Sequence, residues 1–169
     1  MNRLAQQLEK ASGSGFHLWF LNQFLLRLVP FNKPHGIKIV DIKTDSITVE
    51  AKNVRRNRNH IKGIHACLLA TLCEYVSGLN LLRGLDPKEY RFILKNLQMT
   101  YHYQAKTAVN ATFALTQQYL ETEIISPLQT ETALFREFTV EIYDKDKNHI
   151  CTGLINWQIK SWKNVKTHS

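Results

Sequence analysis

Apolar and polar residues follow two different periods along this chain. An apolar run with helical spacing predicts a first strong helix over residues 16–29. Pro30 and Pro34 end it, because proline has no backbone N–H to donate. From Ile37 the period becomes two, and residues 37–44 and 47–52 predict a β-hairpin that turns at Asp45 and Ser46.

A long apolar helix is predicted over residues 64–82, with Gly84 and Pro87 at its end. Alternating apolar residues predict four further strands, at 97–103, 109–115, 138–142 and 151–159. The order is therefore helix, two strands, long helix and four strands. It predicts an α+β fold with an extra N-terminal helix, in which one antiparallel sheet wraps its apolar face around a single central helix.

The chain of 169 residues suits one domain, and its composition, 44% hydrophobic and 21% charged, is typical of a globular protein. We place a polar N-terminal segment at residues 1–15 and a single domain at 16–165. The apolar run at 16–29 is shorter than the ~20 residues that cross a bilayer and contains Asn22, Gln23 and Arg27. A helix packed on the core is therefore expected, not a membrane span.

Cys67, Cys73 and Cys151 form no CxxC pair, and two of them lie in the apolar helix. An odd number of thiols in such a setting is typical of reduced, buried cysteines. The first residues lack the charged-then-apolar order of a signal peptide. We therefore expect a cytoplasmic location.

The formal net charge of +8 is high for this length and indicates an anionic partner. Nucleic acid, an acidic membrane surface and a phosphate-bearing ligand all stay open at this point. A solvated basic surface without a specific partner is the alternative. The basic cluster Arg55, Arg56, Arg58 and Lys62 is short and no nucleic-acid recognition module accompanies it, so no nucleic-acid partner is expected.

The long helix has one apolar stripe, which should face the sheet: Leu68, Leu72, Val76, Leu79 and Leu82. Glu74 lies about 200° from Leu72 at 100° per residue, so it points away from the stripe.

The helical neighbours of Glu74 are all small, namely Ala70, Thr71, Ser77 and Gly78. A solvated face would carry charged residues there. The pattern indicates close approach of another helix, another subunit or a ligand, whereas simple helix packing with Glu74 at the rim is the alternative.

His65 and Glu74 are separated by nine residues, or ~13 Å of helix rise, and project from opposite sides. They cannot meet at one small reacting group within one chain. Two copies of the helix related by a two-fold axis could bring them together, so a site that uses both residues requires a dimer.

Asn59, His65 and Glu74, within the segment "NHIKGIHACLLATLCE", resemble the motif of the hotdog-fold acyl-CoA thioesterases of the phenylacetate-pathway (PaaI-like) type. The chain also resembles bacterial hotdog domains related to the C-terminal domain of the YiiD proteins, over residues 16–160. This resemblance implies a hotdog fold that pairs two sheets edge to edge, as a homodimer or a dimer of dimers. It also implies a composite site at the dimer interface, with the acid from one subunit and the Asn and helix N-terminus from the other.

For catalysis, the resemblance implies that Glu74 acts as base or nucleophile and that the Ala66 amide polarises the thioester carbonyl. Asn59 would orient a water or hold the loop, and His65 would sit in the active site or serve only the helix start. Thr71, one turn before Glu74, would bond substrate or simply pack. The family commonly has Gly-Gly where this chain has Ala66 and Cys67, which bears on activity and on substrate size.

Arg55, Arg56 and Arg58 would bind the phosphates of coenzyme A, or form a solvated basic loop. No cofactor is expected beyond coenzyme A as part of the substrate. The histidines show no metal-ligand spacing, and neither a nucleophile elbow nor a phosphate loop occurs. Three hypotheses follow: an acyl-CoA thioesterase, a non-catalytic module that binds acyl-CoA or a fatty acyl group, and, more weakly, a hydratase or dehydratase.

Overall fold

The computed structural model describes residues 3–165 as helices around one sheet. The helices are α1 (Arg3–Ser12), α2 (Gly15–Leu28), α3 (Ala66–Gly84) and α4 (Gln117–Tyr119). The strands are β1 (Lys38–Ile42), β2 (Ser46–Ala51), β3 (Tyr90–Tyr101), β4 (Val109–Ala114), β5 (Leu134–Asp144) and β6 (His149–Ser161). Short 3-10 turns lie at Pro30–Asn32, Arg55–Asn57, Pro127–Gln129 and Trp162–Asn164, and Leu120–Ile125 forms a π-helical turn.

The six strands form one sheet in the order β1-β2-β4-β5-β6-β3, and every neighbouring pair is antiparallel. The hairpin predicted at residues 37–52 is present as β1 and β2, with the turn between Ile42 and Ser46. The prediction of an antiparallel α+β fold is confirmed. The order also leaves β3, a strand of 12 residues, at an edge of the sheet.

Helix α3 packs against strands β2 to β6. Four of the five residues of the predicted stripe are buried, and Leu82 at its end is half-buried. The helix is more enclosed than a single stripe requires, because every residue from Leu72 to Leu81 is buried except Glu74. The boundary prediction at Gly84 agrees with the observed end of the helix.

The small residues that follow Glu74 have a partner in the same chain. The indole N–H of Trp157 on β6 donates to the Ser77 hydroxyl at 3.0 Å. A Cβ on Gly78 would lie 3.4 Å from the Trp157 ring. Ser77 and Gly78 are therefore small because a tryptophan of the sheet packs on them, and only Ala70 and Thr71 stay open to another partner.

Helix α1 lies within the segment assigned as a polar N-terminal stretch. Its apolar residues recur at helical spacing, and Leu8 and Ala11 are buried. The helix packs against α2, α3 and β1. Residues 3–12 therefore contribute to the same hydrophobic core as the rest of the domain.

Helix α2 spans Gly15–Leu28, within one residue of the predicted bounds 16–29 at each end. The Ser14 hydroxyl caps it by accepting from the His17 amide. Buried Asn22 pairs with the backbone of Ile39 on β1, donating at 2.9 Å and accepting at 2.8 Å. Over residues 3–165, no helix is long and apolar enough to cross a membrane.

A helical excursion at residues 117–129 between β4 and β5 was not predicted. Leu120, Ile124 and Leu128 are buried at a spacing of four residues, which is the helical signal that the sequence contains. The Thr116 hydroxyl caps its start by accepting from the Tyr119 amide.

The expectation that all three thiols are buried is wrong for Cys67, which is exposed because it sits in the first turn of α3. Cys73 and Cys151 are buried, and all three are free. A hydrogen bond with Cys151, together with burial, raises the pKa of the Cys73 thiol.

Candidate functional site

His65 starts helix α3. Its extended backbone (φ −65°, ψ 138°) is that of an N-cap residue, and its Nδ1 accepts from the Cys67 amide at 3.1 Å. Because Nδ1 is an acceptor, the proton of the neutral ring lies on Nε2. The exposed ring therefore has an N–H donor that its capping role does not use.

Asn57 holds the loop before the helix, and sequence reasoning missed it. It is 1% exposed, and its side-chain amide donates to the carbonyls of His35 and Lys52, each at 2.9 Å. Its side-chain oxygen lies 3.3 Å from His35 Nδ1. Its own carbonyl accepts from the His65 amide at 2.8 Å. The signal was an Asn inside the basic run, a residue type that organises loops.

Asn59 also shapes this loop. Its side-chain oxygen accepts from the amides of Ile61 at 3.1 Å and Gly63 at 3.0 Å, which is an Asx-type turn. Lys62, within that turn, has a positive φ of 65°. The oxygen of Asn59 is therefore engaged by the backbone.

Ala66 is the first residue of α3 and is exposed. Within residues 3–165, its amide donates to no acceptor. Its carbonyl accepts from the Tyr101 hydroxyl at 3.2 Å, which joins the end of edge strand β3 to the start of the helix. An unpaired N–H at a helix N-terminus is a donor for negative charge.

A cavity of about 220 Å³ opens beside this helix start. It is lined by Phe31, His35, Arg56, Asn57, Arg58, His65, Cys67, Leu68 and Thr71. Its walls come from the turn after α2, from the basic loop and from the first turns of α3. Phe31 and His35 were not predicted, because no local pattern links them to residues more than twenty positions away.

The three arginines of the basic loop are exposed but placed differently. The Arg58 guanidinium donates to the side chain and carbonyl of Asn53, and it lines the cavity. Arg56 lines the cavity without a hydrogen bond or ion pair to any described residue. Arg55 lies outside the cavity wall.

Glu74 is half-buried in the middle of α3. Burial raises the pKa of its carboxyl group above the ordinary value. Its carboxylate has no hydrogen bond or ion pair with another described residue. A carboxylate with a raised pKa is a stronger base than an ordinary glutamate, and no ion pair with a described residue lowers that basicity.

The structure brings together His65, Thr71, Arg56 and Arg58 around one cavity. The Thr71 hydroxyl donates to the Cys67 carbonyl at 2.8 Å. Glu74, Asn59, Ala66 and Arg55 do not line that cavity in one chain. Over residues 3–165, no group of three or more His, Cys, Asp or Glu side chains could hold a metal ion.

Solved structures of similar fold include a protein from Pseudomonas aeruginosa described as a probable thioesterase. It has a TM-score of 0.75 and 16% identity over 80% of this chain and 90% of its own. A thioesterase from Haemophilus influenzae has a TM-score of 0.65 and 12% identity, over 86% of this chain and 92% of its own. A mutant thioesterase from Staphylococcus aureus has a TM-score of 0.61 and 11% identity, over 78% of this chain and 98% of its own. At these identities the likeness shows a shared fold.

The sequence itself matches one protein family, over residues 18–159. That segment runs from α2 into β6, so it contains the basic loop, helix α3 and nearly the whole sheet. No curated protein matches the sequence. Because the match covers most of the chain, the protein belongs to the family described as Domain of unknown function (DUF4442).

Proposed function

We propose that this protein is a hotdog-fold thioesterase that hydrolyses acyl-CoA at a site shared by two copies of the chain. The observation that carries the proposal is the unpaired Ala66 amide at the start of α3. It follows His65, whose ring Nε2–H is also unused and whose side chain lines the cavity. The fold shared with thioesterases supports it. The residues of the "NHIKGIHACLLATLCE" segment carry the PaaI-like and YiiD-related resemblance.

The start of helix α3 binds the carbonyl oxygen of the thioester. When water attacks, negative charge grows on the carbonyl oxygen, and preorganised donors lower the energy of that state. The Ala66 amide, with the dipole of a 19-residue helix behind it, is one donor. The Nε2–H of His65 is a second donor on the same side as the cavity.

Glu74 activates the attacking water. Its ionised carboxylate takes a proton from the water while the water oxygen bonds to the carbonyl carbon. Collapse of the tetrahedral intermediate breaks the C–S bond, and the leaving sulfur takes the proton back from the Glu74 carboxyl group. Direct attack by the carboxylate, followed by hydrolysis of the anhydride, is the alternative path.

Two copies are needed because Glu74 does not line the cavity of its own chain. Pairing of the edge strand β3 with the same strand of a second copy would satisfy its free hydrogen-bonding groups. Tyr101 at the end of β3 contacts Ala66, so such a dimer places the second copy near the helix start. Glu74 of that copy then completes the site.

The arginines bind the coenzyme A part of the substrate. Arg56 and Arg58 line the cavity, and guanidinium groups pair well with phosphate. We assign the coenzyme A phosphates to them, with Arg55 at the outer edge. Coenzyme A enters only as part of the substrate. Thr71, one turn before Glu74 in the same helix, lines the cavity and contacts the acyl group.

A non-catalytic acyl-CoA or fatty-acyl binding module is the second candidate. It is favoured by the absence of Glu74 from the cavity wall and by Ala66 and Cys67 in place of two glycines. This module would use the same arginines and helix start, without hydrolysis.

The test is release of free thiol from acyl-CoAs of short, medium, long and aromatic type. Wild type is compared with Glu74→Ala and with Glu137→Ala, a control that removes an exposed carboxylate on β5. We expect turnover by wild type and by the control, and loss of at least about 100-fold in Glu74→Ala. Binding without turnover in the wild type would favour the binding module.

A further inference from the structure

Helix α2 presents large apolar side chains that no described part of the chain covers. Six of them are between 48% and 72% exposed: Phe16, Trp19, Phe20, Phe24, Leu28 and, just after the helix, Phe31. We name these six residues the α2 apolar face. The opposite side of the helix is buried in the core through Leu21, Asn22 and Leu25. A large exposed apolar patch on a folded domain indicates an interaction surface.

The charged residues in the chain segment that carries the α2 apolar face are all Lys or Arg. No Asp or Glu occurs between Glu9 and Asp41. Exposed Arg27 lies on the same side of the helix as Phe16 and Phe20, at 100° per residue. Exposed Lys33 lies two residues after Phe31.

The apolar face continues into the basic loop. Phe31, its last residue, lines one cavity together with Arg56 and Arg58. No acidic residue occurs between Glu50 and Glu74, so this second segment is also purely cationic. Two segments distant in sequence therefore form one surface that is both apolar and positively charged.

We propose that this surface binds an anionic phospholipid membrane, with α2 lying in the plane of the interface. Aromatic side chains favour the boundary between headgroups and acyl chains. Arginine and lysine beside them pair with lipid phosphates. A helix of 14 residues is too short to span the bilayer but suits such a surface orientation.

The positive charge of this surface favours an anionic membrane over a second copy of the chain as its partner. Self-association through the α2 apolar face would bring Arg27 and Lys33 of two copies together. The segments 10–40 and 51–73 offer no carboxylate to neutralise them. A lipid surface provides the acyl chains and the negative charge at once. The proposal does not depend on thioesterase activity.

The test is flotation of the full chain with two kinds of vesicle, phosphatidylcholine alone and phosphatidylcholine mixed with phosphatidylglycerol. Wild type is compared with the double variant Trp19→Ala/Phe20→Ala and with Phe135→Ala. Phe135 is a matched control, because it is 47% exposed on β5 and points to the side of the sheet away from α3. Circular dichroism checks that each variant is folded.

We expect wild type and Phe135→Ala to float with the anionic vesicles, less at high salt and less without phosphatidylglycerol. The double variant should lose at least about tenfold in partition, because two buried aromatic contacts disappear. Tryptophan emission of Trp162→Phe should shift to shorter wavelength on addition of anionic vesicles. The same shift should be absent in Trp19→Phe/Trp162→Phe, in which Trp157 is the remaining, buried indole.

Three results would overturn the proposal. One is folded wild type that stays unbound by anionic vesicles at low ionic strength. Another is equal flotation of the double variant and Phe135→Ala. The third is a double variant that floats normally but loses self-association in a mass measurement, which would assign the α2 apolar face to a second copy.

Discussion

The backbone carbonyl of Asn57 accepts a hydrogen bond from the His65 amide at 2.8 Å. This bond fixes the position at which the basic loop meets helix α3. The Asn57 side chain is itself buried and bonds three atoms contributed by His35 and Lys52. One residue therefore links the turn after α2, the end of β2 and the residue that begins the helix.

Replacement of Asn57 by Ala should loosen this junction. The carbonyls of His35 and Lys52 would lose their buried donor, and an unsatisfied buried group costs about 1–3 kcal/mol. We expect a lower free energy of unfolding by roughly that amount, measured by urea denaturation. Asn164→Ala, at an exposed amide whose side chain bonds no described residue, is the control. Equal stability of wild type and Asn57→Ala would contradict the assigned role.

Glu74 should make stability depend on pH. Because burial raises its pKa in the folded state above 4.5, the folded protein favours the protonated carboxyl group. The stabilisation is complete below pH 4.5 and is lost as pH rises through the folded pKa. Glu74→Gln, which cannot ionise, should therefore gain stability relative to wild type as pH rises.

Urea denaturation of both proteins at a series of pH values tests this difference. Glu137→Gln is the control, and it should follow wild type through the same range. A constant difference between Glu74→Gln and wild type at all pH values would show that burial does not disfavour the Glu74 carboxylate.

The same raised pKa should shape the pH dependence of hydrolysis. A general base must be ionised, so the rate should rise with pH and reach its plateau above the pH range of an ordinary glutamate. The measurement is kcat/KM for the best acyl-CoA across pH. An acid limb centred at or below pH 4.5 would argue against Glu74 as the base.

His65 should have two separable roles. His65→Ala removes the acceptor for the Cys67 amide and should cost about 1 kcal/mol of stability. His65→Asn keeps a capping oxygen and should fold with nearly wild-type stability. Both variants lose the imidazole N–H, so both should lose about 100-fold in kcat. Normal turnover by His65→Asn would leave His65 with a capping role alone.

Gly153 on β6 should tolerate no side chain. A Cβ there would lie 2.9 Å from the sulfur of Cys73 and 3.1 Å from that of Met99. Gly153→Ala should lose about 1–3 kcal/mol of stability through overpacking. Gly13→Ala is the control, because nothing lies within 4 Å of its added Cβ. Urea midpoints distinguish the two, and equal midpoints would mean that α3 shifts freely on the sheet.

The sequence alone predicted helices α2 and α3 and the six strands in the right order, but not α1, the helical segment at residues 117–129 or the early start of β3 at Tyr90. Periods of 2 and 3.6 are local properties, so the hairpin, the later strands and helices α2 and α3 could be predicted from nearby residues alone. The capping and turn residues Pro30 and Gly84 placed their ends. The arginine-rich loop before α3, and His65 at the start of that helix, could likewise be found without the fold.

Tertiary structure decided which surfaces those elements bury. Only the fold shows that Trp157 covers Ser77 and Gly78, that α1 joins the core, and that Asn57 anchors the site loop. It also decides that Glu74 does not reach the cavity beside His65 in one chain. The physical reason is that these contacts join residues far apart in sequence, and periodicity reports which side of an element is apolar without naming its partner.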